Sequence, residues 1–258
     1  MPAPLPSADD EAVPVDATET TEKHATGKQA AESQATGNED TGKHCSRRLR
    51  SDAERNRDLI VRAARQVYAG EGLGASMAAV ARRAGVGIAT LFRRFPTRAH
   101  LVDAAFAESM EACAGAMEAA LADPDPWHGF TSFIEHVCEM QALDRGFADL
   151  LTMAFPAAET LEAKRAEAYL GFAELIARAQ AAGRLRADFS PDDLVVLLMA
   201  NAGVLSATHD AAPDAWRRLV AYMLQAFAVR DGEPLPPAPS PGTLHEAMVR
   251  LSSEGPDT

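Results

Sequence analysis

A glycine turn between two short helical patterns constrains the fold of this chain more than any other feature. Ser76 can cap the first helix, because its hydroxyl can accept a hydrogen bond from a backbone amide that lacks a helical partner. Apolar residues then follow at the spacing of one helix face. Gly85 begins the tight turn and is suited to a positive φ. A second short helix over 88–95 ends at Pro96. With the apolar stripe of a supporting helix over 52–69, these segments predict a helix-turn-helix unit.

Arginine is concentrated around this unit. The whole chain has a net charge of −12, but residues 47–106 contain twelve arginines and five acidic residues. This segment therefore carries about +7 and the remainder about −19. Five acids cannot neutralise twelve arginines locally, so the surplus favours a polyanionic partner such as DNA. A solvated helix face with many ion pairs is the alternative.

Helical patterns continue beyond this unit, so we expect an all-α protein. After the helix that follows Thr97 and runs to about residue 122, the apolar spacing predicts helices over 127–143, 146–155, 158–182, 191–206 and 213–229. The ends differ in composition, since they lack enough apolar residues to offset the entropy of ordering. The chain is therefore divided into a disordered acidic tail (1–46), a helix-turn-helix domain (47–106), a second helical domain (107–230) and a disordered Pro-rich tail (231–258). Within the last tail, the amphipathic stretch LHEAMVRL is a candidate for a partial helix.

The sequence lacks the motifs of the common enzyme classes. It has no GxSxG, HExxH, CxxC or GxGxxG pattern, so no catalytic residue and no cofactor are expected. Cys45, Cys113 and Cys138 fit no metal-binding spacing and are predicted to be reduced, structural thiols. There is neither an apolar run long enough for a membrane helix nor a signal-peptide pattern. We therefore expect a cytoplasmic protein without a metal or a membrane partner.

The segment around the turn resembles the DNA-binding domain of the tetracycline-repressor (TetR) family. Many spacings match at once across GLGASMAAVARRAGVGIATLFRRFPTRAHLVDAAF. The matching positions are Ser76, Ala81, Ala84, Gly85, Val86, Thr90, Leu91, Phe95, Thr97 and Leu101. Three positions depart from the family pattern. Gly87 stands where a capping serine is usual, Phe92 replaces a tyrosine that offers a hydroxyl to phosphate, and Arg98 replaces a lysine.

The resemblance implies which residues contact DNA. Ser76 and Arg98 would bind phosphates from the starts of two helices. The residues nearest the bases would be Gly87, Ile88, Ala89 and Thr90, and those that follow along the groove and backbone would be Phe92, Arg93 and Arg94. Leu91 and Phe95 are predicted to be core. Ile88 could touch a thymine methyl group or simply pack. An arm made of Arg47, Arg48 and Arg50 could reach the minor groove or be a solvated linker.

The same resemblance implies that the second helical domain binds a ligand and pairs two subunits. The candidate ligand-binding residues are Phe133, His136, Met140, Met153, Tyr169, Phe172 and Asn201, for each of which ordinary core packing is the alternative. The last two helices, over 191–206 and 213–229, are the candidates for the dimer surface. Their candidate residues are Leu194, Leu197, Leu198, Asn201, Leu205, Leu219, Tyr222, Met223 and Phe227.

The function predicted in this way is that of a sequence-specific DNA-binding transcriptional regulator. The chain would act as a homodimeric repressor that a small, mainly apolar ligand releases from double-stranded operator DNA. The alternative is a protein-interaction module that keeps the fold but has lost specific operator binding.

Overall fold

A computed structural model describes residues 37–229 and 234–253, with side chains from Glu54 onward except those of Pro241 and Ser253. Within these ranges the chain forms ten helices, and its β-structure is limited to one isolated bridge between Leu185 and Ala228. The all-α prediction is therefore confirmed. The helices are α1 (Gly37–Glu71), α2 (Met77–Ala84), α3 (Ile88–Arg94), α4 (Arg98–Ala122), α5 (Pro126–Leu143), α6 (Arg145–Thr152), α7 (Glu159–Ala181), α8 (Pro191–Thr208), α9 (Ala215–Phe227) and α10 (Pro241–Ser253).

Two helices extend into segments that the composition predicted to be disordered. Helix α1 begins at Gly37 rather than near residue 52. A helix that packing has already nucleated extends at low cost, which composition alone does not take into account. Helix α10 occupies 241–253, where the amphipathic LHEAMVRL segment buries Met248. The structure therefore has helix at 37–46 and 241–253, while 234–240 has no regular secondary structure. Tail residues 1–36, 231–233 and 254–258 lie outside the described ranges, and disorder stays a prediction for them.

The helix-turn-helix forms as its caps predict. The Ser76 hydroxyl accepts a hydrogen bond from the Ala79 amide at 3.1 Å. Gly85 ends α2 with φ +67°, a left-handed conformation that a side chain would strain. Gly87 starts α3 without a side-chain cap, as its departure from the family pattern predicts. The Thr97 hydroxyl caps α4 by accepting from the His100 amide at 3.3 Å.

Helices α1 and α4 hold the two short helices from behind. Leu91 and Phe95 point into the core, which confirms their predicted packing role. The Arg57 guanidinium lies over the Phe95 ring, 5.6 Å from its centroid. Arg65 Nε of α1 donates to the Ala105 carbonyl of α4 at 2.7 Å. Some arginines of the basic segment therefore hold the fold together instead of facing solvent.

An aromatic cluster forms the core of the larger helical part. The Phe130 ring on α5 packs 5.9 Å from Phe172 on α7 and 5.4 Å from Phe189, measured between centroids. Phe189 in turn contacts Phe227 at the end of α9, with the centroids 4.7 Å apart. Arg178 of α7 donates to the Asp123 carbonyl at 2.9 Å and so closes the C-terminal end of α4. Helices α4, α5 and α7 thus share one packed layer, which α8 and α9 extend.

The loop between α1 and α2 is held through both polar groups of one residue. The Leu73 amide donates to Oδ2 of Asp149 on α6 at 2.8 Å. The Leu73 carbonyl accepts from the Arg98 guanidinium at the start of α4, at 2.6 Å. The preceding residue, Gly72, has φ +77°, and a Cβ there would lie 2.5 Å from Asp149 Oδ2. We call these two hydrogen bonds the Leu73 clamp. It joins the helix-turn-helix to α4 and α6.

A close helix crossing lies beside this clamp. Gly146, near the start of α6, is buried against Tyr68 of α1 and Phe106 of α4, whose rings stack with centroids 6.1 Å apart. A Cβ at Gly146 would lie 2.8 Å from both Phe106 Cζ and Tyr68 Cβ, and 3.0 Å from the Tyr68 carbonyl carbon. Since one of these atoms belongs to the backbone, the crossing requires glycine.

We therefore expect Gly146→Ala to destabilise the protein by about 1–3 kcal/mol, because the extra methyl group overpacks the crossing. Gly115→Ala is the matched control, since Gly115 lies exposed within α4 and its Cβ would have no neighbour within 4 Å. This control should gain about 0.5–1 kcal/mol from helix propensity. Urea unfolding of both variants provides the measurement, and equal stabilities would contradict the tight crossing.

Asp149 supplies a second prediction, based on pH. Burial raises the pKa of its carboxyl above the ordinary 3.8, so the ionised form costs stability as the pH rises through that raised pKa. Asp149→Asn keeps an acceptor for the Leu73 amide without the charge. Relative to wild type, this variant should gain stability as the pH rises from below 3.8 towards 7. Asp149→Ala should lose about 1–3 kcal/mol, because the Leu73 amide loses its acceptor.

Urea titrations of the three proteins at several pH values measure both effects. The acceptor role of Asp149 would be disproved by an alanine variant as stable as the asparagine variant at pH 7.

Candidate DNA-binding surface and ligand cavity

One face of α3 is exposed and carries most of the residues predicted to contact DNA. Ile88 and Phe92 lie one helical turn apart and are 43% and 45% exposed. Ala89 and Arg93 repeat beside them at the same spacing, and Arg94 is also exposed. Large apolar side chains that are exposed to solvent next to arginines are typical of a surface that binds another molecule. The exposure of Ile88 favours its role as a contact residue over simple packing.

This surface is strongly basic. No acidic residue occurs between Glu71 and Asp103, a stretch that contains Arg82, Arg83, Arg93, Arg94 and Arg98. Arg82, Arg93 and Arg94 are exposed, and no ion pair engages them among the residues whose side chains are described. Their positive charge is therefore available to a polyanion.

The other predicted contact residues lie at the edges of this face. Ser76 is half-buried, and its hydroxyl already caps α2. Thr90 is half-buried on α3, whereas Gly87 is exposed at its start. Arg98 is half-buried and donates to the Leu73 carbonyl. Its guanidinium therefore has a structural role in the clamp in addition to the predicted phosphate contact. The sequence pattern did not predict this role.

The proposed arm cannot be placed. Arg47, Arg48 and Arg50 belong to α1, but their side chains lie outside the described residues. The arm therefore stays a prediction.

A mainly apolar cavity of about 300 Å³ opens among α4, α5, α7, α8 and α10. It brings together three of the residues predicted to bind a ligand, Phe133, Tyr169 and Phe172. Its volume is at the lower end of the usual range for small-molecule sites. Apolar side chains with a few polar groups at one side are the chemistry that binds a compact, mainly apolar molecule.

The other four predicted ligand-binding residues lie elsewhere. His136 lines a separate pocket of about 400 Å³ between α5 and α9, beside Trp216. Met140 and Met153 are half-buried and pack against the core. Asn201 is fully buried, and its amide donates to the Gln141 side chain at 2.9 Å. That hydrogen bond joins α8 to α5 and gives Asn201 a structural partner.

Three polar cavity residues, Arg165, Asp192 and His245, were not among the predicted ligand contacts. Arg165 of α7 donates to the carbonyls of Leu150 and Met153 at 2.9 and 2.8 Å, so it ties the end of α6 to the cavity wall. Asp192 is 9% exposed, and burial raises the pKa of its carboxyl. The place of Asp192 in the wall depends on how α8 packs on α7, which the sequence alone does not show.

The described thiols are poorly suited to redox sensing. Burial raises the pKa of Cys113 to about 11 and that of Cys138 to about 12. Both thiols are therefore protonated at neutral pH, and the thiolate is the reactive form. Within the described ranges there is also no group of three or more histidine, cysteine and acidic residues that could hold a metal ion. None of the helices there is long and apolar enough to cross a membrane.

Two family models match the chain. The model "Bacterial regulatory proteins, tetR family" matches residues 60–105, which contain the helix-turn-helix. The model "Transcriptional regulator SbtR-like, C-terminal domain" matches residues 125–227, which include α5 to α9. No curated protein matches the chain significantly.

The chain is also similar to solved structures. A TetR transcription regulatory protein from Mycobacterium vanbaalenii is 30% identical over 70% of this chain and 99% of its own, with a TM-score of 0.40. TetR transcriptional regulator SCO0520 from Streptomyces coelicolor is 28% identical over 67% and 98%, with a TM-score of 0.43. The ketosteroid transcriptional regulator KstR2 of Mycobacterium tuberculosis is 13% identical over 67% and 95%, with a TM-score of 0.51, and it shares the fold. By its sequence matches at both domains and its helix-turn-helix, this chain belongs to the TetR family of transcriptional regulators.

Proposed function

We propose that this DNA-binding transcriptional regulator is a homodimeric repressor, which acts in the cytoplasm and which a small ligand releases from its operator. The observation that carries the proposal is the exposed face of α3. Ile88, Phe92 and Arg93 project from it, while Leu91 and Phe95 fix it to the core. The surface is therefore rigid, basic and partly apolar at once.

These properties fit the major groove of DNA. Small side chains at Gly87 and Ala89 let the helix approach base edges closely, and Ile88 fits against a thymine methyl group. Arg93 and Arg94 reach phosphates or guanine. The glycine start of α3 and the missing hydroxyl at Phe92 each remove one polar contact, so the remaining arginines carry more of the affinity.

Ligand release requires a link between the cavity and the DNA-binding surface. Cys113 and Met117 of α4 line the cavity, and Arg98 at the other end of α4 holds the Leu73 carbonyl. A ligand that favours a different position of α4 would therefore shift the helix-turn-helix and lower the population that fits DNA. We assign the regulatory role to 107–230 and the DNA-binding role to 47–106.

The proposed dimer surface lies on α8 and α9. Val196 and Tyr222 are exposed there, and Ala200 and Gly203 would let a second helix approach closely. Several residues first considered for this surface are half-buried, namely Leu194, Leu205, Leu219 and Met223. The others, Leu197, Leu198, Asn201 and Phe227, are buried within one subunit. Two-fold pairing would place two recognition helices about 34 Å apart, one turn of DNA.

The first experiment removes the arginines of α3. A duplex is selected from random sequences by the wild-type protein, and binding is followed by fluorescence anisotropy across a range of salt concentrations. The double variant Arg93→Ala/Arg94→Ala should raise Kd at least about tenfold, since phosphate or base contacts are lost. The slope of log K against log salt should become less steep by about 2.

Arg184→Ala is the matched control, because Arg184 is an exposed arginine in the loop between α7 and α8, away from both α3 and the proposed dimer surface. Its Kd should equal that of wild type. If selection yields no preferred duplex, or if the double variant binds that duplex as tightly as wild type, the operator proposal fails. The interaction-module alternative would then be favoured.

The dimer surface gives a separate prediction. Tyr222→Asp should weaken self-association by about 2 kcal/mol, roughly 30-fold in the dimer Kd, because a charge would be buried between subunits. Leu170→Asp is the control, since Leu170 is 71% exposed on α7. Sedimentation equilibrium measures both. A Tyr222 variant that dimerises like wild type would exclude this face.

A further inference from the structure

Helix α10 lies outside both family matches, the second of which ends at residue 227. The chain nevertheless returns to the ligand cavity after α9. The Leu235 amide donates to Asp188 at 2.8 Å, which holds the linker near the start of α8. The Ser240 hydroxyl then accepts from the Thr243 amide at 3.3 Å and starts α10. This C-terminal segment is therefore placed on the regulatory part of the molecule by specific contacts.

The contact of α10 with the rest of the protein is small and well defined. The Met248 carbonyl accepts a hydrogen bond from the Ala154 amide, in the loop between α6 and α7, at 3.1 Å. The Met248 side chain is 5% exposed, whereas Leu244 is only half-buried and His245 is exposed. A 13-residue helix is marginal in isolation, so this limited docking decides whether α10 is formed and in place.

The docked helix forms a wall of the cavity and leaves its interior open. Leu244, His245 and Met248 line one side, and Met117 and Phe133 line the other. About 300 Å³ remains between them. A segment that filled its own site would leave no such space. A molecule in this cavity would gain apolar contact with α10 and with the helices beneath it at the same time.

We propose that α10 is a lid of the ligand cavity, which opens to admit a compact, mainly apolar molecule and closes over it with Leu244 and Met248. The proposal rests on the proposed function for the consequence of ligand binding, but the lid itself can be tested without DNA. Since the ligand gains contacts only with the closed lid, ligand binding and α10 docking stabilise each other.

The test uses N-phenyl-1-naphthylamine, a neutral apolar fluorophore, as the probe. Its Kd is measured by fluorescence for the full chain, for a chain that ends at Val229, and for Met248→Asp, which undocks α10 without deleting it. Both changes should raise Kd at least tenfold. Glu246→Ala, an exposed position on α10 outside the cavity, is the control and should bind as wild type does. Circular dichroism verifies that each variant loses no more helix than the 13 residues of α10.

Hydrogen exchange gives an independent readout on the full chain. The amides of 244–250 should exchange more slowly when the probe is saturating. The lid proposal is overturned if the truncated chain or Met248→Asp binds the probe as tightly as wild type or more tightly. It is also overturned if the full chain shows no saturable binding, or if α10 exchange is unchanged by the probe.

DNA anisotropy of the same proteins separates this proposal from the proposed function. If the full chain binds the probe under a closed lid but binds no preferred duplex, the repressor proposal fails and the lid stands. If DNA binding is specific and the probe results show no dependence on α10, the lid fails and the repressor proposal stands.

Discussion

The Leu73 clamp is the contact on which the arrangement of the molecule depends. The Leu73 amide is held by Asp149 of α6, and the Leu73 carbonyl is held by Arg98 of α4. The clamp fixes the loop that leads directly into α2. Because α3 packs on α2, the orientation of the DNA-binding surface follows from these two hydrogen bonds and from the tight crossing at Gly146.

Most of the fold could be predicted from local signals. Ser76, Gly85 and Thr97 mark helix ends through backbone chemistry that operates within a few residues, so the predicted and observed ends of α2 and α4 agree closely. Composition does not reveal stability that comes from a distant partner. Helix α10 follows a proline-rich linker that cannot fold alone, and it is held by Met248 and Ala154, which are far apart in the sequence.

The candidate DNA-binding surface could be predicted from local signals, whereas the ligand cavity could not. Position along α3 identifies an exposed face, since a short helix that buries Leu91 must turn Ile88 and Phe92 outward. A cavity wall gives no such local signal. Tyr169 and Asn201 are both polar residues in apolar stretches of the sequence. Tyr169 lines the cavity, whereas the Asn201 side chain donates a hydrogen bond to Gln141. Which of the two meets a ligand depends on helix packing that the spacing does not encode.

The Leu73 clamp also limits how such a regulator can be rebuilt. Its donors and acceptors belong to α4, α6 and the loop before α2, so the hydrogen bond to α6 crosses the boundary between the two domains. A chimera that grafts this helix-turn-helix onto another sensor would leave the Leu73 amide without Asp149, and the Tyr68–Phe106 pair without Gly146. The orientation of the grafted unit would then no longer be fixed, unless α6 were transplanted together with the DNA-binding segment.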